Sequence, residues 1–177
     1  MRVDRDNDCE CEMNARVHCA LESTANSRYF FPMSIRFIVV LNRQGKSRLI
    51  KWFDCRYHNQ DKQRIVSEVH RLISTRDLRH QSNFVEYQNI KLVYRRYAGL
   101  YFVAGIDLDD SELSYLESLH FMVEILDTYF DSVCELDLVF NFHKLYTILD
   151  EIYLGGEIQE ILKQRILDRL QYIDGLA

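Results

Sequence analysis

One short motif and two histidines in this chain resemble parts of known catalytic sites, but each lacks a group that its chemistry requires. Gly45-Lys46-Ser47 ends like a phosphate-binding loop. That motif needs a further glycine at position 40, where Val40 stands, and it must open a helix. His120 and His143 have no serine or cysteine nucleophile signature around them. The sequence therefore predicts a protein that is not an enzyme.

Two groups of potential metal ligands also have unsuitable spacing. Cys9-Glu10-Cys11 with His18-Cys19 resembles part of a zinc site, but the spacing fits neither a finger nor a ribbon. Residues 107–110 contain three aspartates, yet the glycine and the distal glutamate of an EF-hand loop are missing. We expect free cysteines in the first group and helix capping in the second. The sequence predicts neither a metal nor a cofactor.

Composition limits the possible partners and the cellular compartment. The chain has 177 residues, of which 47% are hydrophobic, so it can form one domain with a sizeable core. A formal net charge of −5 argues against nucleic-acid binding. No apolar run reaches the roughly 18 to 20 residues of a membrane span, and the N-terminus lacks signal-peptide features. Five cysteines without a regular framework indicate reduced thiols, and we expect a cytosolic protein.

The chain divides near its only proline into two parts of different character. Residues 1–32 carry mixed charges with little apolar periodicity, so we predict a disordered extension there. From residue 33 to 177 we predict one folded domain. Its first elements are strands over residues 35–41 and 47–53, joined by a turn, and then a helix over 59–76 with apolar residues at helical spacing.

The remaining elements place strands first and helices last. A second hairpin is predicted over residues 83–87 and 91–97, followed by a fifth strand over 100–106. Asp109 and Glu112 resemble a capping box that starts a long amphipathic helix. Residues 136–154 are so apolar that we predict one helix buried on most sides, ended by Gly155-Gly156. A last helix carries an apolar stripe from Ile158 to Ile173. This order indicates an α+β fold with helices packed on an antiparallel sheet.

Several long motifs follow one another along the chain: IRFI at 35–38, NRQGKSRL at 42–49, NFVE at 83–86, YRRYAGLYF at 94–102 and VCELDLVFNF at 133–142. In this order they resemble the clathrin adaptor small (sigma) chain family. The similarity extends from Met33 to the C-terminus. It implies a longin-like fold, a five-stranded antiparallel sheet flanked by helices. It also implies a heterotetramer of two large chains, one medium chain and this small chain.

Within the family, NFVE followed by YRRYAG resembles the endocytic branch, whereas residues 142–144 and 148–151 also occur in the trans-Golgi/endosomal branch. We favour the endocytic branch, which implies a location on the cytosolic face of the plasma membrane at clathrin-coated pits. Clathrin and membrane would be contacted through the complex. A purely structural scaffold without cargo binding remains an alternative.

In this family the small chain carries most of the pocket for the acidic dileucine signal, an acidic residue followed four positions later by Leu-Leu or Leu-Ile. The resemblance implies that Arg48 faces the acidic side chain. Ser132 corresponds to a pocket position that is often asparagine in the endocytic branch. The residues implied to line the leucine pocket are Ala98, Leu100, Val123, Val133 and Leu138. From the residues alone, Arg48 is better interpreted as an exposed strand arginine, and the periodicity of Val123 and Leu138 supports core packing equally well.

Overall fold

A five-stranded antiparallel sheet lies between helices in the computed structural model, which describes residues 34–54, 56–76 and 82–175. The α+β fold predicted from the sequence is confirmed. The elements in chain order are β1 (Ile35–Leu41), β2 (Ser47–Trp52), α1 (Asn59–Ser74), β3 (Phe84–Tyr87), β4 (Ile90–Tyr97), β5 (Leu100–Ile106), α2 (Glu112–Phe130), α3 (Glu135–Phe140), α4 (Phe142–Ile152), β6 (Tyr153–Leu154), β7 (Glu157–Ile158) and α5 (Lys163–Asp174).

The strand order is β2-β1-β5-β4-β3, and every neighbouring pair is antiparallel. β5 lies in the middle and all seven of its residues are buried. β1 lies beside it, and six of its seven residues are buried, as its apolar character on both faces predicts. Strands covered on both faces carry apolar side chains in both directions, which explains why these two runs lack a clear alternation.

Each face of the sheet has its own hydrophobic core. On one face, Ile65, Val69 and Ile73 of α1 pack with inward-facing residues of β1 and β5, which confirms the helix predicted over 59–76. On the other face, α2 and α4 pack against alternate residues of the same strands. α4 also contacts β2, because the hydroxyl of Tyr146 in α4 donates a hydrogen bond to the Ile50 carbonyl oxygen in β2 over 3.0 Å. The edge strand β2 is therefore attached to the helical layer.

The start of α2 differs from the prediction. Its N-cap residue is Ser111, and the predicted capping box between Asp109 and Glu112 is wrong. Glu112 instead forms an ion pair with Lys91 of β4, with 2.7 Å between Oε1 and Nζ. Glu112, which the local pattern assigned to helix capping, therefore makes a tertiary contact with the sheet instead.

The apolar segment 136–154 is not one helix buried on most sides. The helix is interrupted at Asn141, which has the non-helical angles φ −111° and ψ 35°, so that α3 and α4 are separate helices. α3 exposes Leu136 and Phe140, whose relative exposures are 63% and 74%. After α4 the chain forms the β6–β7 hairpin, in which the main chain of Gly156 packs against Ile35 at the start of β1.

The last helix is shorter than the apolar stripe suggested. α5 begins at Lys163, and it buries Ile166 and Leu170. Ile158 belongs to β7, and Ile161 lies in the connection before the helix with 74% exposure. The stripe therefore divides between three consecutive segments, and its buried residues, Ile166 and Leu170, both lie in the last of them, α5.

Two predictions concern residues outside the described ranges: the extension over 1–32 and the Cys9–Cys19 group. Within the described ranges, none of the helices combines the length and the apolar character that crossing a membrane requires.

Candidate functional site

A groove of about 480 Å³ lies at the end of the sheet where the β1–β2 and β4–β5 turns meet. The antiparallel register explains this meeting, because Leu41 at the end of β1 pairs with Tyr101 near the start of β5. Residues that follow Leu41 must therefore lie beside residues that precede Tyr101. The groove is lined by Asn42, Arg43, Gln44, Arg48, Ala98, Gly99 and Glu135.

Asn42 builds the first wall of this groove. Its side-chain oxygen accepts hydrogen bonds from the backbone N–H groups of Gln44 and Lys46, both over 2.9 Å. Such Asx-type bonds stabilise tight turns, and Gly45 completes this one with φ 80°. Because the oxygen is used by the turn and the residue is buried, the amide Nδ2 is left to donate into the groove.

The β4–β5 turn forms the second wall with two residues in the left-handed region. Ala98 has φ 47° and Gly99 has φ 84°. A Cβ atom on Gly99 would lie 3.2 Å from Nε of Arg43, so the arginine passes close over the glycine. Glycine at this position thus serves both the backbone conformation and the close approach of a cationic side chain.

The third wall is the first residue of α3, Glu135, which is paired with Arg48 of β2. Its Oε1 accepts hydrogen bonds from Nε of Arg48 over 2.8 Å and from Nδ2 of Asn42 over 3.1 Å, and Nη2 of Arg48 lies 2.7 Å away. The hydrogen bond from Arg48, together with that from Asn42, lowers the pKa of the Glu135 carboxyl below its ordinary value. The side chains of Arg48 and Glu135 are 25% and 40% exposed, so the pair is partly open to solvent.

The α2–α3 connection holds Glu135 in place. Asp131 and Ser132 both adopt left-handed backbone conformations, with φ 52° and 79°. Asp127 fixes this connection, because its carbonyl oxygen accepts a hydrogen bond from the Ser132 N–H over 3.0 Å and its carboxylate accepts one from the Val133 N–H over 3.2 Å. Left-handed conformations are costly for residues other than glycine and cluster at functional segments, which marks this connection as a constrained part of the site.

Four of the five predicted leucine-pocket residues lie in or against one hydrophobic core, and the fifth, Ala98, is exposed. Leu100, Val123 and Leu138 belong to one hydrophobic cluster, with exposures of 2%, 8% and 0%. Val133 is partly buried and packs against this cluster, whereas Ser132 is exposed. Among the seven predicted site residues, Arg48 and Ala98 line the groove. Their assignment to a dileucine pocket stays a prediction.

The sequence reasoning missed Glu135 and Asn42 as parts of the site. Glu135 was seen only within the motif at 133–142, and its partner Arg48 is 87 positions earlier. The available signal was the turn chemistry: an Asn four residues before Lys46, in a hairpin next to a second hairpin ending in Ala98-Gly99. That signal indicates neighbouring turns, but it does not reveal which acidic side chain reaches them.

The groove has the chemistry of an anion site. Arg48 and Asn42 direct hydrogen-bond donors at one carboxylate oxygen, and charge-assisted bonds of this kind are the stronger class. Across the described ranges, histidine, cysteine and acidic side chains do not come together in groups of three that could hold a metal ion. The arrangement is suited to holding a carboxylate, which here is that of Glu135.

Comparison with known proteins gives a consistent result over the same part of the chain. The sequence model of the family described as "Clathrin adaptor complex small chain" matches residues 34–177. An "AP-2 complex subunit sigma" from Neurospora crassa is 56% identical over 142 residues, which cover 80% of this chain and 99% of that protein. The protein of the same name from Saccharomyces cerevisiae is 54% identical over 148 residues, with 81% and 99% covered.

A second branch and a structural neighbour are also similar. The "AP-1 complex subunit sigma-1" from Schizosaccharomyces pombe is 50% identical over 135 residues, which cover 76% of this chain and 82% of that protein. Among structures, a chain of a homology model of the full-length AP-3 complex in a stretched open conformation superposes with a TM-score of 0.64. That chain is 30% identical, and the match covers 81% of this chain and 95% of the other.

Proposed function

This chain belongs to the clathrin adaptor small-chain family, and from this membership we propose that it is the small subunit of the endocytic adaptor and binds acidic dileucine signals on transmembrane cargo. It assembles with two large chains and one medium chain. Clathrin and the cytosolic face of the plasma membrane are contacted through the complex. The relatives named as AP-2 sigma subunits, which this chain matches over 99% of their length, support the endocytic branch.

The observation that carries the cargo-binding proposal is the position of Arg48 next to the predicted apolar residues. Arg48 and Ala98 line one groove, and Ala98 is two residues before Leu100, which packs with Val123 and Leu138. A signal with its acidic residue four positions before the first leucine spans at most about 14 Å when extended. We propose that one peptide places its carboxylate at Arg48 and its leucines at the cluster that contains Leu100.

The leucine side is largely closed in the free chain. Val123 is 8% exposed and Val133 is partly buried, so these residues present little surface to a ligand. The proposal therefore includes a movement of the α2–α3 connection, residues 131–134, which contains Val133, to make room for the ligand's leucines. In this family a neighbouring large chain also covers the pocket in the closed state of the complex.

The test is peptide binding to the assembled complex, opened with membrane lipid, with Val123→Ser and Arg48→Ser variants. Burying a ligand leucine contributes about 1.5 to 3 kcal/mol, whereas a partly exposed arginine–glutamate pair contributes about 0.2 to 1 kcal/mol. We expect micromolar affinity, because ordering a flexible peptide offsets much of the gain. Val123→Ser should weaken binding more than Arg48→Ser, and Arg48→Ser should remove the preference for an acidic residue over a neutral one.

Matched controls separate a lost pocket from a lost fold. Val39→Ser makes the same change in the core on the opposite face of the sheet, where Val39 is 1% exposed. Arg71→Ser removes an exposed arginine from α1. If Val39→Ser weakens peptide binding as much as Val123→Ser does, the effect comes from stability. If Val123→Ser and Arg48→Ser both assemble and bind the peptide as wild type does, the site is assigned wrongly.

The branch has its own experiment. Affinity purification of the chain from cells, followed by identification of the associated large chains, should recover those of the endocytic adaptor. Recovery of the trans-Golgi/endosomal large chains instead would transfer the same cargo-binding proposal to the other complex.

A further inference from the structure

Glu135 occupies, in the free chain, the donors that the acidic residue of a bound signal would use. We propose that Glu135 is a specificity-determining residue, an intramolecular competitor that the signal's carboxylate must displace from Arg48. This inference rests on the proposed function and adds a regulating contact within the same site. It predicts that the acidic preference of the site is set by competition between two carboxylates.

The geometry shows a site already formed around a carboxylate. A single oxygen of Glu135 lies within 2.7 to 3.1 Å of Nη2 and Nε of Arg48 and Nδ2 of Asn42. Asn42 is 7% exposed and its other side-chain atom is fixed by the turn, so its donor does not turn away. An incoming carboxylate finds the best set of donors in the groove already satisfied by Glu135.

The two sides of this contact differ in how firmly they are held. Asn42 is buried in a hairpin turn, and the side chain of Arg48 is 25% exposed, whereas that of Glu135 is 40% exposed. Partly exposed ion pairs contribute little to stability because water solvates the separated charges well. The glutamate can therefore leave for solvent at small cost while the buried donor of Asn42 stays in place, which makes exchange with a ligand carboxylate feasible.

The charge of the groove leads to the same expectation. Its lining contains two cationic side chains, Arg43 and Arg48, and one anionic side chain, Glu135. Replacing Glu135 with a neutral residue of the same shape raises the net charge of this lining from +1 to +2. An acidic signal gains from that change, whereas a signal with a neutral residue at the same position does not.

The experiment compares wild type and Glu135→Gln in the assembled, lipid-opened complex, using fluorescent dileucine peptides with Glu or Gln four positions before the first leucine. We expect Glu135→Gln to bind the acidic peptide roughly 2- to 5-fold more tightly, which is the range for a partly exposed pair, and the neutral peptide as wild type does. Glu86→Gln makes the same substitution at an exposed position of β3 and should change neither affinity. In an Arg48→Ser background, Glu135→Gln should lose its effect on acidic preference.

The other possible results of this experiment distinguish failure of the competition from failure of the proposed function. If Glu135→Gln leaves acidic-peptide affinity unchanged or weakens it, Glu135 orients Arg48 and the competition is overturned. In that case the proposed function still stands if wild type prefers the acidic peptide and Arg48→Ser loses this preference. If wild type binds neither peptide, both proposals fail. Glu135→Ala serves as the second variant, and failure of both variants to assemble would show that the carboxylate is structural, which also overturns the competition.

Discussion

Two leucines on the six-residue helix α3 allow a direct test of which predicted pocket residues are part of the core. Leu138 has 0% exposure and belongs to the large cluster beneath α2, whereas Leu136, two positions earlier, is 63% exposed. We predict that Leu138→Ala strongly destabilises the chain and that Leu136→Ala does not. Both substitutions make the same chemical change in the same helix, so differences in helix propensity largely cancel.

The magnitude follows from burial. Replacing a fully buried leucine with alanine removes apolar contacts and leaves a cavity, which together cost about 2 to 5 kcal/mol. A substitution at an exposed position without specific contacts usually changes stability by less than about 0.5 kcal/mol. With a denaturant dependence of about 2 kcal/mol per molar urea, Leu138→Ala should lower the unfolding midpoint by roughly 1 to 2.5 M. Leu136→Ala should change it by less than about 0.3 M.

Pulse proteolysis across a urea series is the suitable assay, because it measures the folded fraction at low protein concentration. Equal midpoints for the two variants would refute the placement of Leu138 in the core. The result also decides how cargo-binding experiments are interpreted. If Leu138→Ala unfolds the chain as expected, its loss of peptide binding carries no information about the pocket, and Val123 and Val133 become the informative positions.

Three further predictions concern other parts of the chain. Tyr153→Phe should lower the free energy of unfolding by about 1 to 3 kcal/mol in the same urea series. The buried Tyr153 hydroxyl lies 2.6 Å from the Ser118 hydroxyl, and its removal leaves the Ser118 hydroxyl without that partner. An unchanged unfolding midpoint would contradict this role. Burial opposes ionisation of Asp54, but hydrogen bonds from Arg56 lower the pKa of Asp54 below its ordinary value. The ionised carboxylate therefore stabilises the fold above about pH 4, and this stabilisation is lost as the pH falls through the lowered pKa. Asp54→Asn should therefore flatten the decline of the urea midpoint below pH 4, and an unchanged decline would rule this group out as its cause. Finally, deletion of residues 1–32 should leave incorporation into the adaptor complex unchanged, as judged by co-purification with a large chain, and loss of co-purification would give this segment a structural task.

The five strands of the large sheet were predictable because their apolar residues and turn residues are local signals, whereas the short β6–β7 hairpin was not predicted. The fifth strand was expected over 100–106 and is observed as Leu100–Ile106. The break at Asn141 was not predictable in the same way, because large apolar residues surround it on both sides and conceal the change of helix direction. The false capping box at Asp109 has a different cause. Lys91 reaches Glu112 from another element, and tertiary contacts of this kind override local propensity.

The site was only partly accessible from sequence for the same physical reason. Arg48 was identified through family resemblance, whereas its pairing with Glu135 depends on bringing together residues that are 87 positions apart. Periodicity gave Val123 and Leu138 equal claims to pocket and core. The structure distinguishes them by degree, because Val123 keeps 8% exposure and Leu138 keeps none. Such differences arise from how α2 and α3 settle on the sheet, and residue spacing does not encode them.

The central position of β5 has a consequence for how the protein is made. β1 pairs with β2 on one side and with β5 on the other, and β5 ends at Ile106. During synthesis the first hairpin can form early, but the second edge of β1 has no partner until roughly 50 more residues have followed, which takes about 3 to 10 s at 5 to 20 residues per second. For that time an apolar strand presents an open edge, the kind of surface that aggregates or recruits chaperones. A ribosome-bound chain whose β1–β2 hairpin has emerged before β5 is available should therefore depend on folding helpers.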